Sequence, residues 1–340
     1  MKLSIIVPVF QVEDYIRPCM ESIFSQGLDD SDFEVIIVDD GTKDRSIDII
    51  QDIISLHQNI RLIRQENLGL SVARNNGMAV AQGEYLLMPD SDDLLVEGSL
   101  KPLLDTALET KAELVVADFL SINDEEMESL LETGIQQPPF KCAEKTGEEL
   151  LLQDLDPYHC YVWCTLYRKD FIREHRLSFV PDVYYQDVPF THECYLKAKR
   201  AIKCTRLLNI YRRRPGAATY SFDERKGRDF CTVIAKTWEL RQMAGLTPPV
   251  RQKLEDDVWV TFSIMTRLMC HQIDSRQARN AIFDFLKQEA PDIDFRHGWR
   301  QRLNNWLYHH MPHTYIRLKR AYILNFEERL RPFLMRLFRH

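Results

Sequence analysis

Among the 340 residues no uninterrupted apolar run reaches ten, too short for a helix to cross a bilayer. Met1-Lys2 before Leu3-Ser4-Ile5-Ile6-Val7 imitates a secretory signal. Pro8, Gln11, Glu13 and Asp14 cut that run short and no small-residue cleavage site follows, so it reads as a first strand. There is no Cys-x-x-Cys pair among the eight cysteines. Without a secretory signal, Cys19, Cys142, Cys160, Cys164, Cys194, Cys204, Cys231 and Cys270 are expected to be reduced and mostly buried. Cys160 and Cys164 can share a helix face, but two thiols without matching ligands are a poor zinc site. His309, His310 and His313 lack metal-ligand spacing with any nearby carboxylate and read as surface residues. No internal repeat is present.

What is there is the composition of an ordinary folded protein, 45% apolar and 28% charged. The net charge of −7 conceals an asymmetry. Residues 296–340 carry ten Lys/Arg against Glu327 and Glu328, a net of +8, which leaves −15 on the remainder. An acidic body gives no expectation of a nucleic-acid partner. The basic tail suggests an anionic one, such as a membrane surface.

The first third alternates strand and helix patterns. Leu3–Val9, Phe33–Val38, Ile60–Ile63, Glu84–Met88 and Glu113–Phe119 read as strands. Val12–Gln26, Asp44–Leu56, Ser71–Ala81 and Leu100–Leu108 have helical spacing between them. Strands separated by helices of this length imply right-handed crossovers and a mainly parallel sheet, an α/β fold. Asn123–Glu132 reads as an acidic solvated excursion and Gly134–Pro139 as a loop. Lys169–His175 and Asp187–Lys199 read as helices, Ala201–Arg212 as a strand, and Arg213–Asp223, with Pro215-Gly216, as a loop. From Glu224 onward the pattern is helical, with phase-keeping positions at Trp299, Leu303, Trp306, Tyr315, Leu318, Tyr322, Phe326, Leu330, Phe333 and Leu337.

Asp90-Ser91-Asp92-Asp93 follows the run Tyr85-Leu86-Leu87-Met88-Pro89. Three carboxylates within four residues repel one another, which a hard divalent cation would relieve. Mg2+ or Mn2+ takes oxygen ligands and keeps one or two protein carboxylates, leaving the rest of its sphere to water and phosphate. The alternative is an acidic turn ahead of the next helix. Ligands of such sheets bind beyond the carboxyl ends of the strands. Pro8-Val9-Phe10, Asp39-Asp40-Gly41-Thr42, Gln65-Glu66-Asn67-Leu68-Gly69 and Asp90-Ser91-Asp92-Asp93 all fall on that rim.

Four segments in order resemble the family 2 glycosyltransferases: Ile5–Phe10, Glu34–Asp44, Asn67–Gly77 and Gly83–Asp93. The resemblance extends more loosely to about residue 220 and leaves the helical tail uncovered. It implies a GT-A (Rossmann-like) fold, a nucleotide-sugar donor, taken as UDP-linked, a Mg2+ or Mn2+ cofactor, and inversion at the anomeric carbon. Residues 1–118 would then bind the donor, 119–223 the acceptor, and 224–340 would form a helical extension with a basic tail.

On this resemblance Pro8, Val9 and Phe10 flank the base, Asp39 hydrogen-bonds it, and Asn67, Gly69 and Ser91 lie on the donor side. Arg74 approaches the base or phosphates, or is a surface helix charge. Asp90 lies near ribose and metal waters, Asp92 is the metal ligand, and Asp93 points toward the acceptor. Tyr184-Tyr185-Gln186-Asp187-Val188-Pro189-Phe190 resembles the family's Glu-Asp-x-x-Phe segment, with Gln186 in place of Glu. Asp187 is then the base that takes the acceptor proton, or a carboxylate serving the helix dipole. Gln186 joins the acceptor side. Trp163 resembles the aromatic placed beneath an acceptor and reads equally as core. Arg212 and Arg214, in Tyr211-Arg212-Arg213-Arg214-Pro215-Gly216, would meet the diphosphate from a closing loop. Gln11 and Thr42-Lys43 depart from the family's usual Asn and Ser-Thr.

The expected activity is therefore transfer of a sugar to a saccharide or lipid-linked acceptor in surface polysaccharide synthesis. It would take place in the cytoplasm, peripherally at the inner face of the membrane, with a homo-oligomer left open. The alternatives are a sugar nucleotidyltransferase and a non-catalytic nucleotide-sugar-binding protein. Against the former, Pro8-Val9-Phe10-Gln11-Val12-Glu13 has neither glycine nor basic residue to cradle phosphate.

Overall fold

The computed structural model describes residues 1–156, 160–214, 221–294 and 298–324, and side chains throughout these except at 298–301. The described residues fall into two compact units. Residues 1–155, 160–182 and 190–214 make the first, and 156, 183–189 and 221–324 belong to the second.

The first unit is an α/β layer built on one sheet. Its strands are β1 (Leu3–Val9), β2 (Phe33–Asp39), β3 (Ile60–Arg64), β4 (Tyr85–Leu87), β5 (Leu94–Leu95), β6 (Leu114–Asn123), β7 (Cys142–Lys145), β8 (Thr165–Arg168) and β9 (Ala201–Arg213). The order is β3-β2-β1-β4-β8-β6-β9-β5, with β7 added on β9. β3, β2, β1 and β4 are mutually parallel, as are β6 and β9; β8 and the short β5 and β7 pair antiparallel. This is the expected mostly parallel, helix-flanked α/β fold. Every residue of β1 and β2 is buried, as in a strand covered on both faces. Their apolar faces pack on Ile16, Met20 and Ile23 of the helix Ile16–Phe24 and on Leu100, Leu103 and Leu104 of the helix Leu100–Thr110.

One polar tie runs through this core. Ser4 Oγ donates to Glu34 Oε1 at 2.6 Å and accepts from Gly83 N at 2.8 Å, fixing the entry to β4. A Cβ at position 83 would lie 2.3 Å from the carbonyl carbon of Leu3, so only glycine lets the backbones approach.

Several expectations are corrected. The acidic stretch after Asn123 is largely exposed, as expected, but has regular structure, a turn of 3-10 helix, Asp124–Glu126, and a helix, Met127–Thr133, anchored by buried Met127. The Asp44–Leu56 helix is interrupted at Ile50 into Ser46–Ile49 and Gln51–Leu56. Cys142 and Cys204, directly opposed across β7 and β9, form a disulfide, whereas all eight cysteines were expected as thiols. The other six are buried and outside any disulfide.

The second unit is helical where described: Glu224–Leu240, Pro248–Gln272, Arg276–Glu289, Gly298–His310 and Pro312–Tyr322. Phe230, Phe262, Met265, Phe283, Tyr308 and Tyr315 share its core. Position 299 lies where side chains are not described, and Pro215-Gly216, Phe326, Leu330, Phe333 and Leu337 lie outside the described residues.

Candidate active site

The rim at the carboxyl ends of β1, β2, β3 and β4 is stitched together by carboxylates. After β2, Asp39 Oδ1 accepts from Thr42 N at 3.0 Å, closing the turn, while Arg64 Nε lies 3.7 Å from its other oxygen. Asp40, buried beside it, accepts from Gln65 Nε2, Leu68 N and Gly69 N at 2.7–2.9 Å. It thereby fixes the loop that carries Asn67 and Gly69. Gly41 (φ 70°) passes so close to that loop that a Cβ would sit 2.9 Å from Asn67 N. Asp44 accepts from Ser46 N and Oγ and caps the following helix turn, leaving Asp39 to the rim. After β1, Phe10 is exposed and Gln11 is left-handed (φ 53°), donating its N–H to Thr42 Oγ1. Asn tolerates that conformation better than Gln, which accounts for the residue the family prefers there.

Asp90 to Asp93 turn on an Asp93 N to Asp90 O bond of 3.2 Å, and the three carboxylates diverge. Asp90 pairs with Arg74, which is 2% exposed and carries its guanidinium 5.4 Å over the Phe179 ring. Burial, reinforced by the charge of Asp92, raises the Asp90 pKa, and Arg74 opposes that rise. Asp93, 1% exposed, accepts from Arg212 N and Asn209 Nδ2, both at 2.9 Å. Burial and then the charges of Asp92 and Asp90 push its pKa well above the carboxylate range. Asp92 accepts from Arg214 Nε at 2.8 Å and keeps 24% of its side chain exposed. Arg212 donates from Nε to Asp92 O at 3.1 Å and pairs with Asp124 at 2.5 Å. Both arginines lie over Tyr15, with Cζ 5.1 and 4.5 Å from its ring centre.

The first unit thus brings together Asp90, Asp92, Asp93, Arg74, Arg212 and Arg214. It places Arg74 beneath Asp90 and Asp93 under the end of β9. Ser91 is buried, and Trp163 is 2% exposed in a cluster with Tyr161 (4.4 Å, stacked), Tyr211 (5.8 Å, stacked) and Phe119 (5.0 Å, edge-on). Tyr15, Asp40, Asp124 and Asn209 complete the rim without having been singled out. Asp40 had a signal, its place in Asp39-Asp40-Gly41, whereas Asn209 had none.

Gln186 and Asp187 belong to the second unit. Asp187 is half-buried at the first position of the helix Asp187–Lys197. Gln186 is buried, and its Oε1 has no hydrogen-bond partner among the described residues. Tyr184 N donates to Asp229 Oδ2 at 3.2 Å, and Tyr185 (φ 60°) lies 4.1 Å from the Phe230 ring. Burial and the negative charges of Asp187 and Asp229 push the Tyr185 phenol up to about 12.

No set of three or more metal-ligating side chains is assembled among the described residues. Asp92 and Asp90 offer oxygen donors of the kind a hard divalent cation takes, each paired with a guanidinium.

The model described as glycosyl transferase family 2 matches residues 4–176. The chain is 32% identical over 218 residues to the uncharacterized glycosyltransferase EpsJ of Bacillus subtilis, covering 64% of this chain and 62% of that protein. It is 28% identical over 203 residues to the poly(ribitol-phosphate) beta-glucosyltransferase of Bacillus spizizenii, covering 59% and 30%. The matches therefore span less than two thirds of either relative. Among solved structures, S. aureus TarS 1–349 in complex with UDP-GlcNAc superposes with a TM-score of 0.75 at 22% identity, covering 95% of this chain and 92% of that one. The fold is shared.

Proposed function

Because the chain belongs to glycosyl transferase family 2, we propose that it moves a sugar from a UDP-sugar to a saccharide or lipid-linked acceptor, inverting the anomeric centre. The observation that carries this reading is the continuous rim on which the Asp39 turn, the Asp40-held loop and Asp90–Asp93 meet. A surface polymer as acceptor is supported by the likeness to a poly(ribitol-phosphate) glucosyltransferase, and a uridine donor by the fold shared with a protein solved with UDP-GlcNAc.

In this reading residues 1–118 hold the donor, 119–223 the acceptor, and 224–340 form the helical extension. Pro8, Val9, Phe10 and Asp39 flank the base, with Asn67 and Gly69 on the donor side. Asp92, backed by Asp90, holds Mg2+ or Mn2+. When bound, the cation neutralises charge developing on the departing diphosphate. Arg74 acts through Asp90, and Arg212 and Arg214 supply guanidinium charge beside the diphosphate. Asp187 takes the proton of the acceptor hydroxyl as its oxygen attacks, with Gln186 and the Trp163 aromatic cluster on the acceptor side.

Asp92→Ala should abolish metal-dependent turnover, and Asp187→Asn should lose transfer yet titrate UDP-sugar like the wild type. Transfer by Asp187→Asn at the wild-type rate would remove it as base.

A peripheral, inner-face membrane location is supported by the last two described helices. Between 298 and 324 there is no acidic residue, and Leu303, Trp306, Met311, Leu318 and Tyr322 are exposed among Arg302 and Arg317. Sedimentation with phosphatidylglycerol vesicles but not phosphatidylcholine vesicles, lost in Trp306→Glu, is the expected result.

A further inference from the structure

The Arg214–Asp92 pair puts a cation where the proposed function requires a different one. Arg214 Nε is 2.8 Å from Asp92 Oδ2, and its side chain is only 16% exposed. A guanidinium on a carboxylate oxygen and a divalent cation on the same oxygen exclude each other by contact and by charge. The Oδ2 lone pairs are already directed at a strong donor.

The arginine is also held from behind. Its Cζ lies 4.5 Å from the centre of the Tyr15 ring, which also has Arg212 at 5.1 Å. Arg212 is committed elsewhere, to Asp124 and to the carbonyl of Asp92. Of the two, only Arg214 engages the Asp92 carboxylate, and it lies at the end of β9 rather than within it. Without a partner, Asp92 would stand as a bare charge beside two other carboxylates.

We infer that Arg214 is the counter-ion that Asp92 holds whenever no cation is bound to it. It occupies Asp92 until a divalent cation takes its place, stacked on the Tyr15 ring. This rests on the reading of Asp92 as the metal ligand. The exchange makes cation binding in the absence of nucleotide weak, because Mn2+ must first displace an ion pair. A nucleoside diphosphate relieves that cost by offering the released guanidinium a new anion. Cation and diphosphate then bind cooperatively although neither need touch the other's protein ligands.

Mn2+ binding to the full chain without nucleotide, followed by the electron paramagnetic resonance of free Mn2+, tests this. Arg214→Gln should tighten Mn2+ about tenfold, the equivalent of roughly one charge-assisted hydrogen bond, and Tyr15→Leu should tighten it by a smaller factor. Arg213→Gln removes the same charge from the exposed neighbouring residue and should change affinity by less than about twofold. Equal tightening in the Arg213 and Arg214 variants would reduce the effect to bulk charge and overturn the exchange, as would unchanged affinity in Arg214→Gln. If Mn2+ binds no variant even with UDP present, or binds Asp92→Ala as well as wild type, the metal reading falls and the exchange with it. UDP should strengthen Mn2+ binding more in wild type than in Arg214→Gln; an equal gain would overturn the counter-ion role.

Discussion

Replacing Arg74 with methionine should do most of its damage through Asp90. Arg74 is among the largest fully buried side chains, and its ion pair with Asp90 is its charged contact among the described residues. Methionine fills much of the aliphatic volume, so cavity formation is a minor part of the loss. What remains is a carboxylate facing Asp92 with its counter-charge gone. Breaking a buried pair on one side costs about 3–5 kcal/mol, and the lower end applies because 27% of the Asp90 side chain still reaches water. The loss should therefore be about 3 kcal/mol, read as faster hydrogen exchange in peptides covering the helix Leu70–Val80 and β4. Asp90→Asn alone leaves the guanidinium unpaired and should also destabilise. The double variant R74M/D90N removes both charges and should be more stable than the sum of the single losses by at least about 2 kcal/mol. Additivity within about 0.5 kcal/mol would show that the pair is not coupled and would refute a bracing role for Arg74.

Asp40→Ala strips acceptors from Leu68 N and Gly69 N, at about 1–3 kcal/mol for each donor left unsatisfied; UDP titration should weaken while Mn2+ binding persists, and unchanged UDP affinity would disprove the loop-fixing role. Gly83→Ala places a Cβ 2.3 Å from backbone and should give insoluble chain on expression; a soluble protein with the wild-type melting temperature would contradict the close approach of β1. Thiol titration after unfolding without reductant should find six thiols, and all eight after reduction; eight in both cases would exclude the Cys142–Cys204 bond.

The sequence made legible those parts of the fold whose signals are local. β1 begins and ends where its apolar run does, and β2 and β3 extend theirs by one residue each. β7 was illegible because its side chains are mostly exposed and show no hydrophobic period; it is a strand only by pairing with β9. β8 carries a short mixed run, and β5 is two residues long, below any periodic signal. The site divides in the same way. Asp39, Asp90 and Asp92 could be placed on the rim because each follows a recognisable strand. The partners could not. Arg74 reaches Asp90 across 16 positions, Asn209 reaches Asp93 across 116, and Arg214 reaches Asp92 across 122. A residue type says what a side chain can bind, but only the strand order brings the end of β9 over the turn after β4.

That strand order also changes how the acidic turn is to be understood. Three carboxylates in four residues seem to demand a metal for their repulsion to be tolerable. Instead, each has a protein partner. Asp90 has a buried guanidinium whose removal is costly. Asp93 has two donors without formal charge, a backbone amide and a side-chain amide, which suit a carboxyl pushed toward its neutral form by its surroundings. Asp92 has a guanidinium just past the end of β9. Two of the three are therefore fixed parts of the scaffold, and their service to chemistry is to hold Asp92 in place. In the proposed reading a cation arriving at this turn would meet Asp92, whose partner Arg214 lies just past the end of β9, and Asp92 is the residue that the family resemblance assigns to the metal.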